Sequence, residues 1–153
     1  MTTLLIHKAK CVATQNDSQE ELKDASILIE NGLIKRIFTA HENIEPLLSQ
    51  VDEVIDASHH VVLPGLVNTH HHMVQSLTRA IPGVQSSELF SWLKGLYPIW
   101  AGLTPEMVRV SNQIAMIELL MSGCTTTSDH LYIYPNGIRL RRCLLYTSPS
   151  PRD

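Results

Sequence analysis

The stretch Val61-Val62-Leu63-Pro64-Gly65-Leu66-Val67-Asn68-Thr69-His70-His71-His72 decides the architecture of this chain. It reads as a buried β-strand, entered through a tight Pro64-Gly65 turn and ending in three histidines. Successive side chains of a strand point to opposite faces, so His70 and His72 share one side and His71 takes the other. Two imidazoles side by side can bind one metal ion, and neutral imidazole suits zinc, iron, copper and nickel. A His-x-His pair supplies two ligands; a catalytic zinc site needs at least one more from the protein and an open position for water. Histidine runs also occur as solvated loops or tag remnants. This one is internal and follows Leu66-Val67 in a β-rich run, so a metal role and a structural role both stand on spacing alone.

Downstream of His72 the hydrophobic period changes. Leu89, Trp92, Leu93 and Leu96 fall at i, i+3, i+4 and i+7, which predicts an amphipathic helix with Ser86 as N-cap and Pro98 as its stop. Trp92 and Trp100 are read as core, with a pocket-lining role as the alternative. Thr104 is placed to cap a second helix, with Pro105 at its first position and Glu106 in its first turn. Met107, Val110, Ile114, Ile117 and Met121 form the expected buried stripe, and Gly123 sits where a C-terminal glycine belongs. The β-branched run Cys124-Thr125-Thr126-Thr127-Ser128-Asp129-His130 then reads as a second buried strand.

Strand, helices, strand is the order of a parallel α/β sheet or barrel. Sites in such folds gather at the C-terminal ends of strands, where His70, His72, Asp129 and His130 fall. Alternation lets only one of Asp129 and His130 face inward, and either could be the one. Gln75, three residues past His72, is either a substrate contact or an exposed loop glutamine.

Upstream, residues 2–13 read as one or two strands and Thr14–Lys23 as a polar hairpin loop. Ser26–Glu30 and Leu33–Phe38 flank Asn31-Gly32, the pair that tolerates the positive φ angles of a type I′ turn. His41–Gln50 is a polar connector, and Glu53–Ala57 and His60–Leu63 are two more short strands. Residues 1–63 are thus expected to be a small antiparallel β unit that completes a sandwich with another segment, because its edges would otherwise stay open.

At 153 residues the chain can bury a real core, and 44% hydrophobic with 18% charged residues is the balance of a globular protein. A net charge of −3 without a basic stripe gives nucleic-acid binding no electrostatic support. The apolar run Leu4–Ile6 is too short for a signal-peptide core, and no run approaches a membrane span. Cys11, Cys124 and Cys143 contain no C-x-x-C pair, which argues against a disulfide framework or a cysteine zinc site. The chain reads as cytoplasmic, with no nucleic-acid or membrane partner.

Residues 143–153, Cys-Leu-Leu-Tyr-Thr-Ser-Pro-Ser-Pro-Arg-Asp, lack helical period and look like the translation of a sequencing adaptor rather than native protein. A natural disordered tail is the alternative. On the adaptor reading the chain is a truncated gene product.

With these residues in view, the chain resembles the amidohydrolase superfamily, in its nucleobase and triazine deaminase branch. The resemblance rests on Asp56-Ala57, on Pro64-Gly65-Leu66-Val67-Asn68-Thr69-His70-His71-His72, on the preceding β unit and on Ser122–His130. More narrowly, His70–Ala80, Glu88–Leu93 and Leu96–Trp100 resemble 8-oxoguanine deaminases, with hydroxyatrazine-type aminohydrolases close behind.

The resemblance implies a (β/α)8 barrel, here truncated, preceded by the N-terminal part of a β-sandwich: residues 1–63 the sandwich part, residues 64–142 the first β/α units. It implies one divalent metal, zinc or alternatively iron, with His70 and His72 as first-strand ligands. Two further histidines, an aspartate and the acid/base residues would lie on later strands that this sequence does not contain. The implied reaction is hydrolytic deamination of a purine-like nucleobase of the 8-oxoguanine type, with water activated by the metal and protons relayed to leaving ammonia. Gln75 and His130 are the substrate-binding candidates; His71 is expected to pack away from the metal face. A hydroxyatrazine or chlorotriazine hydrolase, or another amidohydrolase, is the nearer alternative. A non-catalytic β-domain interaction protein is the one from another class. The implied partner is a small nucleobase or triazine, and the parent could be a homo-oligomer. The chain by itself is expected to be inactive and prone to aggregate.

Overall fold

The computed structural model describes residues 2–139, so the expected adaptor-derived tail at 143–153 lies outside the described residues. The chain divides into two compact units between Pro64 and Gly65.

The first unit contains β1 (Thr3–Ala9), β2 (Cys11–Ala13), β3 (Glu21–Leu22), β4 (Ala25–Glu30), β5 (Leu33–Phe38), the short helix α1 (Glu45–Leu48), β6 (Glu53–Asp56) and β7 (Val61–Val62). They form a four-stranded sheet in the order β5-β4-β1-β6 and a three-stranded sheet in the order β3-β2-β7. The Asn31-Gly32 turn has both φ angles positive, 51° and 79°, as a type I′ hairpin requires. The expected all-antiparallel unit is instead mixed: β6 runs parallel to β1, and β7 parallel to β2. The connector after β5, which holds α1, carries the chain back to the start of β1. There Asp52 fixes the register: its carboxylate accepts from the Thr3 amide at 2.7 Å and the Thr3 hydroxyl at 2.9 Å. The expected loop at Thr14–Lys23 likewise contains β3, paired to β2. Ala9, Val12, Ala25, Ile27 and Ala57 form this unit's core, where small residues let strands from the two sheets meet closely.

The second unit is a β-α-β arrangement. Strand β8 (Leu66–His71) leads into a 3-10 turn (Met73–Thr78), helix α2 (Leu89–Trp100), helix α3 (Pro105–Met121) and strand β9 (Cys124–Asp129). Strands β8 and β9 pair in parallel, with Leu66 opposite Cys124 and His71 opposite Asp129. Gly65 serves this pairing rather than a turn: a Cβ at that position would lie 2.0 Å from Thr125 Oγ1. Among the described residues β8 has no other neighbour, so it is largely exposed rather than buried as expected.

Helix α3 begins as its sequence predicts. Thr104 Oγ1 accepts from the Met107 amide at 3.3 Å, with Pro105 at the first turn, and Gly123 takes the positive φ of 82° after its end. Its buried face, however, is Val108, Ser111, Asn112 and Ala115, while Met107, Ile114, Ile117 and Met121 are exposed. The small face wins because it lets the 3-10 turn approach closely enough for Ser111 Oγ to donate to the carbonyls of Met73 and Val74, at 2.7 and 3.1 Å.

Helix α2 starts after Glu88, not at Ser86. The turn before it already uses the Ser87 amide, which donates to the Val84 carbonyl. Pro98 does not stop the helix, which continues to Trp100. Its missing N–H forgoes one ladder bond, and the helical bonding resumes beyond it, the Ala101 amide donating to the Tyr97 carbonyl at 2.9 Å. Leu96, Trp100, Leu103, Val108 and Val74 make the core of this unit, with Trp92 packed against it.

Candidate metal centre

Parallel pairing of β8 with β9 brings the ends of both strands level. Beyond β9 the His130 amide donates to the His71 carbonyl at 2.8 Å, extending the ladder by one residue. His70 and His72 project to the same side, and their Nε2 atoms lie 3.1 Å apart. Two nitrogens each about 2.0–2.1 Å from one zinc ion can lie up to about 4.1 Å apart, so the observed spacing suits shared ligation. On the other ring nitrogen, His72 Nδ1 lies 2.8 Å from the His130 carbonyl. A carbonyl only accepts, so Nδ1 carries the hydrogen and Nε2 keeps its lone pair. That lone pair is directed at His70. The donor chemistry therefore fits a borderline-soft divalent metal. Among the described residues no third His, Cys, Asp or Glu joins the pair to make a complete cluster.

His71 points away from the pair, and its Nδ1 is buried without a hydrogen-bond partner among the described residues. Of the two rivals at the end of β9, Asp129 turns to the 3-10 turn, where its Oδ1 accepts from the Met73 amide at 3.0 Å. The His130 ring lies against His70, with centroids 4.8 Å apart and planes at 22°.

Gln75 Nε2 donates to Tyr132 Oη at 3.1 Å. Tyr132 also packs edge-on against His72, with centroids 5.3 Å apart, and burial raises its phenol pKa above the ordinary value. A recess of about 310 Å³ is lined by His70, His71, His72, Gln75, Ser76, Arg79 and Glu118. Arg79 and Glu118 form an exposed ion pair at 2.7 Å, of little energetic weight in solvent. Sequence reasoning missed Tyr132 and the Arg79–Glu118 pair. Tyr132 alternates with His130 in an extended run, the one local sign that both could face the same side; nothing local links Arg79 to a residue on another helix.

The sequence pattern of the amidohydrolase family matches residues 61–145, more than half the chain. The chain belongs to the amidohydrolase family. It is 50% identical over 113 residues to the 8-oxoguanine deaminase of Pseudomonas aeruginosa, an alignment covering 73% of this chain and 24% of that protein. It is 37% identical over 131 residues to the 5'-deoxyadenosine deaminase of Methanosarcina barkeri, covering 85% and 28%. Among solved structures, atrazine chlorohydrolase from Arthrobacter aurescens TC1 complexed with zinc superposes with a TM-score of 0.77 at 30% identity, over 86% of this chain and 29% of that one. An adenosine deaminase from Xanthomonas campestris with bound zinc shares the fold, with a TM-score of 0.65 over 87% of this chain and 30% of that one, at 24% identity. The chain thus spans about a quarter of the length of these amidohydrolase relatives. No helix among the described residues is long and apolar enough to cross a membrane.

Proposed function

We propose that this chain is the first part of a metal-dependent hydrolytic deaminase acting on a purine-like nucleobase of the 8-oxoguanine type, with release of ammonia. Within that reading, residues 64–142 supply the opening β/α units of a (β/α)8 barrel and residues 1–63 part of a β-sandwich. The supporting observation is the convergence of His70 and His72 Nε2 at 3.1 Å, with the His72 lone pair exposed by its bond to the His130 carbonyl. These two residues would hold one zinc ion, with iron as the alternative. When bound, such an ion supplies Lewis-acid activation of water near neutral pH.

The chain's own part in the chemistry is to orient. His72 is kept in the tautomer that offers Nε2, and Gln75, anchored to Tyr132, offers its carboxamide oxygen to a ring N–H of the substrate. The acid/base residues and remaining ligands are assigned to the part of the protein beyond this chain. Relatives that deaminate purines favour the nucleobase over a triazine.

The deciding experiment extends the reading frame from its source DNA and assays the full protein for ammonia release from 8-oxoguanine, with hydroxyatrazine in parallel. Ammonia from 8-oxoguanine, lost together with bound metal in the His70→Ala/His72→Ala double variant, supports the proposal. Turnover of the triazine alone replaces the substrate, and metal content unchanged by the double variant removes the metal role.

A further inference from the structure

We infer that His130 is a positioning residue for the His70/His72 pair, acting on one through its ring and on the other through its backbone; this rests on the metal reading proposed above. Its backbone is fixed first. The His130 amide donates to the His71 carbonyl at 2.8 Å, which sets residue 130 level with the histidines across the sheet. From that place its carbonyl receives the His72 Nδ1–H at 2.8 Å. A ring N–H held by a carbonyl fixes both tautomer and ring orientation, as outer partners of metal-binding histidines do.

The ring of His130 is fixed separately. Its Nε2 lies 3.1 Å from the Thr69 carbonyl and 3.3 Å from Ser128 Oγ, and Ser128 Oγ itself donates to the Thr69 carbonyl at 2.7 Å. Since a carbonyl only accepts, Nε2 of His130 carries a hydrogen and has no lone pair to give a metal. Thus clamped across the strand pair, the ring presents its face to His70 at 4.8 Å and 22°, and lies edge-on to His72 at 5.7 Å. His70 has one ring face occupied, and its rotation would have to displace a side chain tied to two strands. His130 is therefore neither a free substrate ligand nor a third metal ligand through Nε2. It carries the geometry of β9 over to His70 in β8 and His72 just beyond it.

The test measures zinc affinity of the full 153-residue chain by competition with a chromophoric chelator, using zinc alone as the probe. It also reads the imidazole tautomers of the metal-free chain by 15N NMR. His130→Ala, which keeps the carbonyl but removes the ring, is expected to weaken zinc binding about 10–100-fold. His130→Phe restores a flat ring against His70 without a ligand nitrogen, and is expected to bind zinc within about threefold of the parent. His72 is expected as the Nδ1–H tautomer in the parent and both variants.

A His130→Phe chain as weak as His130→Ala would show that a ring face against His70 does not position the pair, and would overturn the inference. So would parental affinity in His130→Ala, or an Nε2–H tautomer at His72. If His130→Ala does not fold, His130→Phe and the tautomer decide alone. Zinc binding that survives the His70→Ala/His72→Ala double variant removes the metal reading itself. The metal-free tautomers still report on His130 separately.

Discussion

Gln75 Nε2 donates to the phenolic oxygen of Tyr132 at 3.1 Å, joining the turn after β8 to the segment after β9. With one N–H engaged, the carboxamide of Gln75 still has its oxygen to accept from a ligand's ring N–H and its second N–H to donate to a ring nitrogen. Tyr132→Phe removes the anchor without changing the ring. Unfolding of the chain is expected to lose no more than about 1.5 kcal/mol, the scale of one hydrogen bond. In the longer parent, KM for an 8-oxoguanine-type substrate should rise with kcat held, because a positioned acceptor is lost rather than a reacting group. A fall in kcat at constant KM counts against the positioning role of Tyr132.

The parts of this molecule legible in the sequence are those decided by neighbours a few residues apart. The Asn31-Gly32 hairpin, the Thr104-Pro105 helix start, the Gly123 end and the shared side of His70 and His72 all follow from local backbone chemistry. What the sequence hid depends on partners far along the chain. The parallel pairing of β6 with β1 is set by Asp52 meeting Thr3 across 49 positions. The buried face of α3 is the one from which Ser111 donates to the carbonyls of Met73 and Val74, not the larger Met107–Met121 stripe. Asp129 and His130 could not be ranked by alternation. Their roles separate only when the Met73 amide claims Asp129 and the Thr69 carbonyl claims His130.

Ser111 is fully buried, and its hydroxyl serves two carbonyls of the 3-10 turn that carries Gln75. Ser111→Ala leaves those carbonyls without that donor and is expected to cost about 1–3 kcal/mol, read as a lower urea midpoint with unchanged slope. Its neighbour Asn112 is equally buried, but neither of its side-chain polar atoms finds a partner among the described residues. Asn112→Leu should therefore be neutral or stabilising. A loss at Asn112 as large as that at Ser111 would show that the amide is in fact satisfied.

Ala80 holds a φ of +60° just after the 3-10 turn, a left-handed conformation that costs a residue with a Cβ about 1–2 kcal/mol. Ala80→Gly removes that strain at an entropic cost of about 0.5–1 kcal/mol, so a small net gain in thermal midpoint is expected. Gly123 has the opposite logic: at φ +82° with open space around it, Gly123→Ala should destabilise by strain alone. Differential scanning calorimetry of the two variants checks both signs, and a lower midpoint for Ala80→Gly refutes the strain at Ala80.

Asp52 has its carboxyl pKa lowered, first by the Thr3 amide that donates to it and then by the Thr3 hydroxyl. A folded-state pKa below the ordinary value means the unfolded chain binds the proton more readily. The stabilisation is thus fully present above about pH 4 and lost as pH falls through the lower, folded value. Asp56 and Glu42 are shifted in the same direction by the amides of Ser58 and Thr39, so the acid loss is shared. Asp52→Asn should flatten, without abolishing, the fall in thermal midpoint below pH 4. An unchanged acid slope in this variant would show that Asp52 does not carry part of it.

Ile117, Leu120 and Met121 lie at i, i+3 and i+4 on α3 and are exposed, Met121 at 85%. In the same unit Leu66 and Val67 are exposed on β8, whose second edge pairs with nothing among the described residues. Apolar faces and open strand edges of this kind drive association. The 153-residue chain is therefore expected to self-associate at micromolar concentration, seen by light scattering. Ile117→Glu with Met121→Lys puts opposite charges at i and i+4 on the same face, which leaves the helix itself supported while removing the apolar stripe. The double variant should scatter less with an unchanged far-UV circular dichroism spectrum. Equal association by parent and variant would assign the contact to the β8 edge, and a monomeric parent would mean that neither surface is sticky.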